Sequence, residues 1–164
     1  MDSSSGISTA NKGKFLAFTE LNTKSGGVLT GVSAIKDLGV THVELLPIYD
    51  FQSVDETAPT FNWGYDPQNY NVPEGSYSSD PTKPTARITE LKRAIQSMHS
   101  LGLRVNMDVV YNHTSGSGQA SSSILDRVVP GYYHRLNASG GVETSTCCKN
   151  TATERMMMAK LNLD

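Results

Sequence analysis

The stretch Leu103-Arg-Val-Asn-Met-Asp-Val-Val-Tyr-Asn-His-Thr114 constrains the rest of the chain more than any other. Leu103, Val105, Met107 and Val109 alternate, Val110 adds a second branched residue, and Gly102 marks where the preceding element stops. A nearly continuous apolar run is the signature of a strand in a parallel sheet, covered on both faces. Asp108 interrupts the run, and a carboxylate is expensive to bury unless it is hydrogen-bonded or paired. The carboxyl ends of parallel strands are where α/β folds place ligands and chemistry. Asp108, Asn112 and His113 therefore read as one edge of an active site.

The chain has 164 residues, enough for one domain with a real core. A net charge of −2 excludes the basic surface that nucleic acid or an anionic membrane requires. No apolar run reaches the length of a membrane span, and Met1-Asp-Ser-Ser-Ser-Gly6 lacks the charged and apolar regions of a signal peptide. The two cysteines, Cys147 and Cys148, are adjacent and cannot staple distant parts of the fold. They read as loop thiols.

Taken in order, residues 1–13 are rich in Ser, Gly and Asn and are expected to form a mobile arm, or a loop docked on something outside the chain. Residues 15–20 form a short apolar segment, and Gly26-Gly27 breaks the chain. Val28, Val32, Ile35 and Leu38 stand at helical spacing, which predicts a helix over residues 28–38 ended by Gly39. Residues 40–47 form a second buried strand stopped by Pro47. Residues 48–84 read as a long irregular loop punctuated by prolines, a kind of segment that is usually functional. The clearest helix covers residues 85–101, with Ile88, Leu91, Ala94, Ile95, Met98 and Leu101 on one stripe and Thr85 as N-cap. A Ser- and Gly-rich loop over 115–150 follows the opening strand, and Thr151-Ala-Thr-Glu154 starts a last helix over 151–163. Strands alternating with helices imply βαβ units, a parallel sheet and right-handed crossovers. Two such strands cannot cover their own edges, so the chain reads as part of a larger α/β domain.

Asp108-Val-Val-Tyr-Asn-His113 resembles the first conserved motif of the alpha-amylase superfamily, glycoside hydrolase family 13. Asn62-Trp-Gly-Tyr-Asp-Pro67, Val72-Pro-Glu-Gly-Ser-Tyr-Ser78, Arg87-Ile-Thr-Glu-Leu-Lys92, Val129-Pro-Gly-Tyr-Tyr-His-Arg135 and Ser145-Thr-Cys-Cys-Lys-Asn150 narrow the likeness to type I pullulanases. The resemblance implies a partial (β/α)8 TIM barrel, with residues 40–46 as its second strand, residues 103–110 as its third, and residues 115–150 as the protruding loop subdomain. A whole barrel takes about 250 residues. The expected activity is retaining cleavage of α-1,6-glucosidic branch linkages in pullulan, amylopectin or limit dextrins. The nucleophile and the acid/base are expected beyond Asp164, so the chain by itself is predicted inactive.

The resemblance also assigns roles. His113 donates a hydrogen bond to the glucose at the cleavage point, and Tyr65 stacks on that sugar. Asp108 supports an arginine from the next strand. Trp63 either extends the aromatic wall or anchors its loop, and Asp66 either bonds sugar hydroxyls or forms a turn. Asn112 matches a calcium-binding position of many alpha-amylases, with structural hydrogen bonding as the alternative. No cofactor is required by this reading, and calcium is the one candidate ion. The implied partners are an α-glucan and the rest of the catalytic barrel, and the location favoured for the parent enzyme is extracellular or cell-surface. An isoamylase, an α-amylase and a non-catalytic α-glucan-binding module are the rival readings.

Overall fold

A computed structural model describes residues 4–58 and 60–144, together with the backbone of 149–150. The expected last helix and the cysteine pair lie outside the described residues. In chain order the elements are a 3-10 turn (Phe15–Thr19), strands β1 (Lys24–Ser25) and β2 (Val28–Leu29), helix α1 (Gly31–Asp37), and strands β3 (His42–Leu45), β4 (Tyr49–Phe51) and β5 (Pro67–Pro73). Then come a second 3-10 turn (Gly75–Tyr77), helix α2 (Pro84–Ser100), strands β6 (Arg104–Met107) and β7 (His113–Thr114), helix α3 (Leu125–Val128) and strand β8 (Lys149–Asn150). They divide between two compact units, one made of residues 1–48, 54–61 and 73–108, the other of 49–53, 62–72 and 109–164.

The first unit is built on a β3–α2–β6 crossover. β3 and β6 pair in parallel, from His42 opposite Arg104 to Leu45 opposite Met107. The Arg104 N–H donates to the Thr41 carbonyl (2.9 Å) and the Asp108 N–H to that of Leu45 (3.0 Å), extending the ladder at both ends. Val32, Met98 and Leu103 are buried together, with Ile35, Val43 and Val105 packed around them. Phe15, Ile48 and Ala94 form a second buried group, with Leu91 against it. The two strands are covered on one face only. His42, Glu44, Arg104 and Asn106 are exposed, so the sequence alternates polar with apolar as a half-buried strand does, contrary to the expectation of two covered faces.

Several sequence expectations shift in this unit for identifiable reasons. Val28 does not belong to a helix. It lies in β2, paired with β1 across Gly26 and Gly27, whose φ values of +55° and +86° suit a tight turn. Helix α1 starts only at Gly31, and Val28 is exposed. Helix α2 begins at Pro84, with Lys83 in the cap position, because proline's fixed φ suits the first helical residue and needs no N–H partner. Thr85 is therefore inside the helix. The buried stripe runs through Glu90, Ala94 and Met98, while Ile88 is 44% exposed. Glu90 turns its carboxylate on Ser79, accepting from the backbone N–H at 2.9 Å and from the hydroxyl. The N-terminal residues, expected as a mobile arm or as a loop docked on something outside the chain, dock instead on the chain itself over residues 5–11. Glu20 accepts hydrogen bonds from the Ser8 N–H (2.9 Å), the Ser8 hydroxyl and Asn11 Nδ2 (2.6 Å), and the Thr30 hydroxyl donates to the Ser5 carbonyl.

In the second unit, the segment expected to be irregular carries the seven-residue strand β5, which pairs with β4. Proline at each end of β5 bounds the strand without interrupting its middle. Tyr49, Tyr70 and Tyr111 form the core here, with ring centroids 5.7–6.2 Å apart. β7 pairs antiparallel with β8, His113 opposite Asn150.

Candidate functional site

Within the second unit, residues 62–66 form a stapled loop. Asn62 Nδ2 donates to the carbonyl and hydroxyl oxygens of Ser53 (both 3.1 Å), and its Oδ1 accepts from the Gly64 N–H (2.8 Å). Asp66 accepts from the Ser53 N–H (2.7 Å) and the Ser53 hydroxyl, and its own carbonyl accepts from the Gln52 N–H (3.0 Å). Asp66 thus acts as a tie that closes this loop. The stapled loop leaves Trp63 62% and Tyr65 44% exposed, two aromatic side chains presented to solvent. Such faces suit the C–H surface of a sugar ring.

His113 is buried beneath that loop. Its Nε2 lies 2.9 Å from the Tyr65 carbonyl oxygen and its Nδ1 2.8 Å from Asn112 Nδ2. With the amide donating into Nδ1, the ring proton sits on Nε2 and points at Tyr65. The backbone is pinned as well, since the Tyr70 hydroxyl donates to the His113 carbonyl at 2.6 Å. Burial, and then the nearby Tyr111, pushes the Tyr70 phenol well above its ordinary range, so it stays a donor at any working pH. The structure therefore joins three of the sequence-selected residues, Tyr65, Asn112 and His113, through direct bonds. Trp63 and Asp66 share their loop.

Asp108 lies in the first unit, as the residue following β6, with a half-buried side chain. Its N–H completes the parallel ladder, which fixes its backbone at the strand end.

Sequence reasoning missed a second layer. Thr114 follows His113, and its hydroxyl lies 2.8 Å from His134 Nε2 while donating to the Gly116 carbonyl at 2.7 Å. His134 Nδ1 in turn lies 3.1 Å from Asp126 Oδ1. Asp126 is buried and accepts the backbone N–H groups of Gly118 (2.6 Å) and Gly131 (3.0 Å). Burial alone would raise its carboxyl, but those donors and His134 outweigh it and hold the group below the usual carboxylate range. The only trace of this in the sequence is an acid and a histidine inside a Ser- and Gly-rich loop, with no periodicity to single them out.

The catalytic-domain profile of the alpha amylases matches residues 16–139. The chain belongs to the alpha-amylase catalytic-domain family. Its fold is accordingly of the TIM-barrel type. Among curated relatives it is 46% identical to a pullulanase of Bacillus subtilis (strain 168), over 94% of this chain and 22% of the relative. It is 36% identical to pullulanase 1, chloroplastic, of Arabidopsis thaliana, over 96% of this chain and 19% of the relative. Among solved structures, the apo pullulanase of Paenibacillus barengoltzii superposes with a TM-score of 0.86 at 52% identity, covering 97% of this chain and 25% of that one. The same pullulanase in complex with maltohexaose and alpha-cyclodextrin gives a TM-score of 0.85. The chain thus spans about a fifth to a quarter of the length of these family members.

Proposed function

We propose that this chain is the glucan-holding portion of a retaining, pullulanase-type glycosidase that cleaves α-1,6-glucosidic branch linkages in pullulan, amylopectin or limit dextrins. The observation that carries the reading is the superposition of 97% of the chain, at 52% identity, on a pullulanase whose structure contains maltohexaose. In this reading β3 and β6 are the second and third strands of the barrel and residues 115–150 are the loop subdomain after the third. Trp63 and Tyr65 form a wall against which a sugar ring stacks. His113 gives its Nε2–H to a sugar hydroxyl, leaving the Tyr65 carbonyl as it does so. A donor that strengthens as charge develops on the ring lowers the barrier rather than merely tightening binding. Asp108 supports the arginine expected on the following strand. Retention needs two carboxyl groups about 5–5.5 Å apart, one as nucleophile and one as acid then base. Both are assigned to the remaining length of the parent enzyme.

An isoamylase is the nearest rival, and the rice isoamylase 3 is 30% identical against 46% for the bacterial pullulanase, which favours debranching of the pullulanase type. The scheme needs no calcium, and hydrogen bonding is the role favoured for Asn112: its Nδ2 donates to the imidazole of its neighbour, and a hard cation wants about six to eight oxygen ligands where one asparagine offers a single one.

Calorimetric titration of the chain with maltotetraose tests the reading. Saturable binding is expected, and Tyr65→Ala should weaken it about fivefold, the equivalent of about 1 kcal/mol of lost aromatic contact. Identical heats for the two proteins would overturn the role of the aromatic wall.

A further inference from the structure

Thr114, the residue that follows His113, ends a buried series of side chains that the His113 ring itself does not join. Asp126, His134 and Thr114 are all buried, with relative exposures of 2%, 4% and 7%. Their polar atoms connect in series: Asp126 Oδ1 to His134 Nδ1 at 3.1 Å, His134 Nε2 to the Thr114 hydroxyl at 2.8 Å, and that hydroxyl to the Gly116 carbonyl at 2.7 Å. Because the threonine proton goes to Gly116, the ring nitrogen is the donor of the middle contact. The acceptor residue packs closely, since a Cβ added at Gly116 would come within 2.7 Å of the Ser122 carbonyl oxygen. At the other end, two backbone N–H groups anchor the Asp126 carboxylate. Within this series the Thr114 hydroxyl is held on both sides, by His134 Nε2 and by the Gly116 carbonyl, while the Asp126 carboxylate stands close to the far ring nitrogen, so removing the hydroxyl or the ring leaves a buried neighbour unpaired.

Only two residues make up β7, and His113 is one of them. Its carbonyl is tied by Tyr70 and its partner strand supplies one ladder, which fixes the backbone on one side. The Thr114 side chain is the remaining handle. We propose that Asp126 and His134 are positioning residues for His113, gripping the Thr114 hydroxyl and so setting where the imidazole stands toward the substrate. The inference rests on the reading of His113 as a sugar contact, but the positioning itself is a claim about the ring alone. Neither residue touches sugar in this account. Both act through Thr114.

The test uses the whole 164-residue chain. Its two readouts are the exchange rate of the His113 ring Nε2 proton, measured by nuclear magnetic resonance, and the affinity for maltotetraose. Asp126→Asn, His134→Gln and Thr114→Val are compared with Thr114→Ser, which keeps the hydroxyl. Thr114→Val and His134→Gln should speed ring-proton exchange and weaken maltotetraose about tenfold, as expected when a buried polar partner is lost. Thr114→Ser should restore both, while the methyl signal of Met98, in the other unit, stays in place throughout. Should Asp126→Asn melt the loop, the isosteric Thr114→Val with its serine rescue decides the matter. Unchanged His113 exchange in Thr114→Val would overturn the proposal, as would a loss of affinity without any change at the ring. A wild-type chain that binds no maltotetraose, yet shows the exchange change and its rescue, would sink the functional reading and leave the positioning intact.

Discussion

Asp126 is the residue at which charge and burial meet most directly in the second unit. Burial pushes its carboxyl up, and the N–H donors of Gly118 and Gly131 with His134 pull it down further, leaving it below its ordinary value of 3.8. A carboxyl depressed on folding contributes stability at every pH above its unfolded value, and that contribution fades as pH falls through the folded value. The second unit should therefore hold its tyrosine near-ultraviolet signal through weak acid and lose it only below about pH 4. In Asp126→Asn the acid transition should flatten, because the group that binds the extra proton is gone. Glu20, Asp55 and Asp80 are also depressed by their hydrogen bonds, but they belong to the first unit, where Asp55 is exposed, the other two are no more than half-buried, and solvent screens all three. An acid midpoint that does not move in Asp126→Asn would show that this network contributes nothing to the fold.

At the scale of elements, helix α2 separates what periodicity reveals from what packing decides. Met98 is fully buried against Val32 and Leu103, so Met98→Ala should cost about 2–5 kcal/mol in urea unfolding. Ile88 sits on the same sequence stripe but is 44% exposed, and Ile88→Ala should stay within about 0.5 kcal/mol of wild type. Equal costs would mean that the helix is rotated from the orientation described. The helix, the strand after it and the parallel pairing were legible because apolar spacing, Pro84 and Gly102 are local signals. The buried Glu90 was not, because its partner Ser79 is eleven positions away and only the fold brings them together. Val28 misled for the converse reason, its helical spacing from Val32 being an accident of a hairpin that Gly26-Gly27 makes possible. At the site, motif likeness pointed to Tyr65, Asn112 and His113, which the structure joins by direct bonds. It was silent on Asp126 and His134, whose place depends on loop backbone that no periodicity encodes.

The scale of the whole molecule sets what the chain can do chemically. It covers 22% of the Bacillus subtilis pullulanase and 25% of the Paenibacillus barengoltzii one. Among the described residues the parallel pair of β3 with β6 forms a two-stranded sheet with a polar, exposed face carrying His42, Glu44, Arg104 and Asn106. Parallel strands are ordinarily buried on both faces, and two strands alone are marginal in water. Hydrolysis with retention asks for more than a held sugar, since the covalent step and its reversal each need a carboxyl group at a fixed separation from the other. Substrate positioning without that pair supplies binding and no turnover. The 164-residue chain is therefore expected to release no reducing ends from pullulan above the blank, even at concentrations where maltotetraose binds. Amide exchange should show why, with the amides of Val43 and Val105 opening faster than those of Ala94 and Met98 in the core of α2, because the sheet depends on neighbours that this length does not bring. Measurable pullulan hydrolysis by the purified chain would overturn the assignment of the reacting carboxylates to the rest of the parent enzyme, and would place the nucleophile among the carboxyl groups of these residues.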